Sequence, residues 1–260
     1  AWGALTETYD FLTHLFAHDE RYPSPTDFVG SVHNAPAGQV AMRHHITGAN
    51  ITLTGGERSF EQAFYAACLQ AAHRNRNVLL ISADEYHPNF SALLDAPPSA
   101  RLQPADGGAA FYLSPSETDS ASASIELLYY GRRLTENVRT TSRIQFEMAR
   151  AQAALGQSGN PLKVAAVLYG GSEHLSGLNQ AQLESFQHRT GISGPYIDYR
   201  PWLGDFATVC AAALSVTLAF VQTGHIPEAM CPHGGVAINN RVILVLNLGR
   251  RITLFAVRRC

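Results

Sequence analysis

Ile51-Thr52-Leu53-Thr54-Gly55-Gly56-Glu57-Arg58 is the stretch on which the reading of this chain turns. Ile51 to Thr54 reads as a short strand, and Gly55 to Arg58 as a tight turn. Residues 59–74 then read as a helix, apolar at Phe60, Ala63, Phe64, Ala67 and Cys68. A strand that enters a helix through such an elbow has the geometry that enzymes use to expose a nucleophile. The free N–H groups and positive potential of the helix N-terminus face the exposed side chain. Here that side chain is Glu57, where cysteine or serine is expected. A carboxylate in this place also has a purely structural use, since it satisfies free N–H groups and complements the dipole. The same dipole favours the ionised form, which weakens Glu57 as an acid.

Elements extend outward from the elbow on both sides. Upstream, Leu5, Phe11, Leu12, Leu15 and Phe16 recur at helical spacing and predict a helix over 4–18. Tyr22-Pro23-Ser24-Pro25 marks a loop, and residues 31–46 read as helical despite Pro36 and Gly38. Nothing before Ala1 supplies the strand that an α/β domain places ahead of its first helix. The fold therefore begins with a helix, or an N-terminal part lies outside this chain. Downstream, Val78 to Ser82 is a continuous apolar strand of the buried kind. Strands follow at 109–113 and 125–129, and a helix at 136–155. The polar run Gly156 to Pro161 is the best internal boundary. It divides a single domain into an N-terminal half, 1–155, and a reduced C-terminal half, 156–260. The second half reads as strand 164–168, helix 176–188, helix 205–223, and strands 241–247 and 252–257. The helix at 205–223 has few charges on any face and is expected to be buried all round. Two central helices between sheets would make a layered α/β fold rather than a barrel.

Composition narrows the function. The 260 residues allow a substantial core. Only 15% are charged, against a usual share of about 25%, which suggests that much surface is covered by the chain's own layers or by a partner. A net charge of −2 argues against nucleic acid as a partner. No apolar run approaches the ~18 residues of a membrane span. Cys68, Cys210, Cys231 and Cys260 form no CxxC pair, which disfavours a disulfide framework or a metal site and fits a reducing cytoplasm. Cys68 and Cys210 read as inert core cysteines. Lys163 is the only lysine, so almost no amine is available for Schiff-base chemistry.

Three segments together resemble the ketosynthase family: Asn34-Ala35-Pro36-Ala37-Gly38, then Gly48-Ala49-Asn50-Ile51-Thr52-Leu53-Thr54, then Glu57 with its helix. The register runs without gaps from about Asp27 to Ser82 and sets Glu57 at the nucleophilic cysteine. The segment Phe28 to Gln39 is similar to chain-length-factor-like subunits of aryl-polyene and type II polyketide pathways. The second half is matched more loosely. Tyr169-Gly170-Gly171-Ser172 falls at the first histidine motif, so Gly170 takes that position. Gly204-Asp205-Phe206 falls at the second, with Asp205 in the histidine's place. Asn247-Leu248-Gly249-Arg250 is similar to a reduced form of the family's glycine-rich turn.

The resemblance implies a thiolase-like fold of layers αβαβα with two related halves, and an N-terminal part missing from this chain. Condensation needs a thiolate and two histidines that stabilise an enolate, and no matching position holds any of the three. His44, His45, His174 and His225 lie elsewhere. The implied role is that of a non-catalytic subunit, without cofactor. It pairs with an active ketosynthase, meets the acyl carrier protein through the complex, and helps to set chain length. In the family the strand ahead of the nucleophile pairs across the dimer axis. That places Ile51 and Leu53 at the seam, with Phe28, Val29, Val32, His33 and Met42 at the seam or the acyl tunnel.

Other constellations compete. Arg132, Arg133, Arg139 and Arg143, with Arg150, make a basic patch around a helix. It reads as a solvated face, or as a docking site for an acidic carrier protein. Asp84-Glu85-Tyr86-His87 ends a buried strand, where α/β folds place ligands, but a site there needs a third convergent group, and a polar turn is the favoured reading. Two rival functions follow from these residues. Glu57 would decarboxylate malonyl-carrier protein, or an unrelated hydrolase or binding protein would use Glu57, Asp84 and His87 together.

Overall fold

The computed structural model describes residues 4–91, 102–115, 123–134, 141–156, 162–231 and 234–260. The chain forms two compact units. One comprises residues 1–115 with 204–212, and the other residues 116–203 with 213–260.

The first unit opens with helix α1 (Leu5–Ala17), followed by α2 (Pro25–Ser31) and α3 (Ala35–Arg43). The predicted helix over 31–46 is observed only as α3, Ala35–Arg43, and α2 ahead of it was not expected. Val32 adopts extended backbone at φ −78° and ψ 145° and ends α2, while Pro36 sits in the first turn of α3, where its missing N–H costs nothing. Ser24 caps α2 by accepting the Asp27 N–H. A 3-10 turn, Gly56–Arg58, leads into α4 (Ser59–Arg74). The expectation of a strand at Ile51 to Thr54 is corrected: the segment belongs to no ladder among the described residues. A strand exists only by pairing, and a β-rich sequence without a neighbour remains irregular.

Strand β1 (Val78–Asp84) pairs antiparallel with β2 (Gly107–Leu113), from Val78 opposite Leu113 to Asp84 opposite Gly107. Helix α4 packs on β1 and β2, burying Phe60, Phe64, Ala67 and Ala71. Phe60 stacks between Phe64 and Phe111 at ring distances of 6.0 and 5.7 Å. The segment at Gly204 returns to this unit through Asp84, whose carboxylate accepts the Ala207 N–H at 2.8 Å. Phe206 lies so close to Gly107 that a Cβ there would meet its ring at 2.1 Å.

The second unit holds β3 (Ala123–Tyr130), α5 (Thr141–Gly156), β4 (Val164–Gly171), α6 (Ser176–Thr190), β5 (Tyr196–Asp198) and a short α7 (Arg200–Leu203). Helix α8 (Val209–Thr223) begins in the first unit's segment and continues in the second. A small pair, β6 (His225–Ile226) and β7 (Val236–Ala237), precedes the hairpin β8 (Val242–Leu248) and β9 (Thr253–Arg259). The mixed sheet runs β3-β9-β8-β4-β5, parallel across β8, β4 and β5 and antiparallel elsewhere. Helices α5 and α6 cover it around Met148, Val167, Phe186, Leu244 and Leu254, all buried. Helix α8 is not buried all round. Val209, Cys210, Ala211, Ala213, Leu214 and Val221 are inside, while Ser215, Ala219 and Gln222 are exposed at one-turn intervals.

Candidate functional site

At the elbow the structure keeps the turn and changes the role of Glu57. Its residue lies in the 3-10 turn, one step ahead of α4, and is exposed. It makes no capping hydrogen bond to either helical element. Ser59 ties the turn instead, donating its hydroxyl to the Gly56 carbonyl at 2.9 Å. The buried carboxylate of this helix is Glu61, 1% exposed in the first turn of α4. The sequence pattern hides it, because Glu61 sits between Phe60 and the apolar stripe with no motif of its own.

A cleft of about 620 Å³ opens beside the elbow, within the first unit. One wall is β1 with its flanks, Asn77 to Glu85. Another is the extended segment Gly48 to Thr54, and α4 closes the floor with Phe60, Ala63, Ala66 and Ala67. Of the residues placed at the seam or tunnel, His33, Ile51 and Leu53 line this cleft, while Phe28, Val29, Val32 and Met42 do not. Phe28 and Val29 lie on α2, and Met42 on α3. The apolar members stand open: Met42 is 72% exposed, Val29 65%, Ile51 58% and Phe28 53%. Ile46 and Leu53 are also exposed. Glu57 and Asp205 do not line the cleft.

At the position set for the first histidine, packing leaves no room for a side chain. Gly170 is the penultimate residue of β4, and a Cβ on it would fall 2.3 Å from the Tyr199 ring, which is fully buried. The Tyr199 hydroxyl donates to Asn247 Oδ1 at 3.3 Å, and its N–H donates to the Tyr169 carbonyl at 3.0 Å. Neighbouring Asp198 is pushed above the usual carboxylate range by burial, opposed by the Arg200 N–H and charge. Gln182, fully buried, exchanges two hydrogen bonds with the Gly249 backbone at 2.8 and 2.9 Å. In the first unit, Asp205 serves its backbone: its N–H donates to Gln103 O at 2.9 Å and its carbonyl accepts from Ala105 at 3.2 Å.

Asp84-Glu85-Tyr86-His87 is a structural clamp. Asp84 holds the Ala207 N–H. Glu85 accepts both the N–H and the hydroxyl of Thr6, capping α1 from 79 residues away. Tyr86 donates its N–H to Asp106, and the His87 ring stacks on Tyr9 at 4.3 Å. The cleft includes Asp84 and Glu85 but neither His87 nor Glu57. Among the described residues no group of three or more His, Cys, Asp or Glu side chains is placed to hold a metal. The cysteines are free, and Cys68 is exposed on α4 beside Tyr65 and Leu69, which corrects its reading as a core residue. Cys210 is buried as expected.

Of the basic patch, Arg132 and Arg133 sit in the turn after β3, and Arg143 and Arg150 are exposed on α5. Arg139 lies outside the described residues. Among those described, no helix is long and apolar enough to cross a membrane.

Comparison with known proteins agrees with this geometry. Residues 2–156 match the family described as beta-ketoacyl synthase, N-terminal domain. The fold is similar to the ishigamide ketosynthase/chain length factor, at 20% identity and a TM-score of 0.71 over 100% of this chain and 71% of that one. It is similar to a beta-ketoacyl synthase from Burkholderia phymatum, at 14% identity, TM-score 0.71, and 100% and 74% coverage. It also resembles the ketosynthase ApeO in complex with its chain length factor ApeC from Xenorhabdus doucetiae, at 12% identity, TM-score 0.66, and 100% and 73% coverage. These likenesses establish a thiolase-like fold. No curated protein sequence matches the chain.

Proposed function

Because the chain belongs to the beta-ketoacyl synthase N-terminal-domain family, we propose that it is a catalytically silent, chain-length-factor-like subunit that pairs with an active ketosynthase. The observation that carries this reading is the elbow. The turn into α4 presents an exposed carboxylate, Glu57, and no thiol. A carboxylate is a far poorer acyl acceptor than a thiolate, so a thioester chain has nowhere to load. The place set for the first histidine is filled by the Tyr199 ring, and Asp205 is no enolate donor when ionised. As one domain of two related halves, 1–155 and 156–260, the chain would keep the fold of a condensing enzyme and lose its reaction.

The partner reading rests on the open apolar side chains and the unpaired extended segment. Ile51, Leu53, Phe28, Val29, Val32, His33 and Met42 form the proposed seam. Covering Ile51 alone would remove a half-exposed side chain from water, worth about 1–2 kcal/mol. The solved structures it is similar to include ketosynthase–chain length factor pairs, which supports a similar assembly; the proposal sets that assembly in a cytoplasmic polyketide pathway of the aryl-polyene kind. A bulky side chain at the seam would limit the acyl chain by sterics. Coexpression of this chain with an active ketosynthase from the same organism tests the reading. Copurification that Ile51→Asp with Leu53→Asp abolishes is the expected result; a soluble homodimer indifferent to both changes contradicts it. A priming decarboxylase using Glu57 is the second reading, motivated by the exposure of that carboxylate. No acetyl-carrier product from malonyl-carrier protein disposes of it.

A further inference from the structure

We draw no further inference here: the strongest candidate, the cleft of the first unit between β1 and the extended segment Gly48 to Thr54, where the hydroxyls of Ser82 and Thr208 are buried without a hydrogen-bond partner, carries nothing, because nothing in the structure shows what covers it.

Discussion

Gly170→Ala puts the filled end of β4 to a quantitative test. The added methyl would lie 2.3 Å from Tyr199 Cζ, 2.4 Å from Cε2 and 2.7 Å from the hydroxyl oxygen. Ordinary contact needs about 3.5–4 Å, so the ring must retreat by more than 1 Å. Tyr199 is fully buried, and its hydroxyl is tied to Asn247, so no free volume receives it. Overpacking of this kind costs about 1–3 kcal/mol. At this chain length each kcal/mol lowers Tm by roughly 2–4 °C, so a fall of about 2–12 °C is expected. Circular dichroism melts of the wild type, Gly170→Ala, Tyr199→Ala and the double variant complete a cycle. Tyr199→Ala alone leaves a cavity and should cost about 3–5 kcal/mol. The double variant should be more stable than the two penalties added, because the new methyl enters the space that the ring vacates. A Gly170→Ala melt within a degree of wild type, or strictly additive penalties, refutes the claim that Tyr199 fills this place.

Four further outcomes are expected. Glu57→Cys should restore no condensation above a no-enzyme control, since a thiol without enolate donors cannot complete the reaction; product by mass spectrometry would contradict this. Glu147→Leu should destabilise by roughly 1–3 kcal/mol for each orphaned donor, the Arg132 N–H and the Tyr129 hydroxyl, read by urea unfolding. The Tyr129 hydroxyl is held well above the ordinary tyrosine range, first by burial and then by the Glu147 bond. Its stabilising contribution is therefore full below the unfolded value of about 10 and is lost as pH rises above it, and Tyr129→Phe should flatten that alkaline limb in a pH series of melts. Glu85→Ala removes the remote cap of α1 and should cost about 1 kcal/mol, with faster amide exchange confined to residues near Thr6.

Much of the element order was legible because periodicity carries it. The helix at 59–74 is observed with those bounds, and the strands at 78 and 164 begin where the apolar runs begin. Pairing was not legible at Ile51 to Thr54, since alternation shows an aptitude for sheet and not the presence of a neighbour. The start of α3 was set four residues early for a related reason: Pro36 was read as a disturbance inside the helix, although it fits its first turn. Exposure of Cys68 depends on which helix face is covered, and Cys68 adjoins the apolar stripe by one residue. The Tyr199 ring over Gly170 joins residues 29 apart in sequence, beyond any local signal. The same holds for Glu85 on Thr6.

The central claim is that this subunit shapes the product without performing the chemistry. The most direct measurement is product mass from the reconstituted pair, with Glu57→Ala in this chain and, separately, the nucleophilic cysteine of the ketosynthase replaced by alanine. The account predicts unchanged product with Glu57→Ala and none with the altered ketosynthase. Loss of product with Glu57→Ala in an intact complex, or turnover surviving removal of the partner's cysteine, would contradict it.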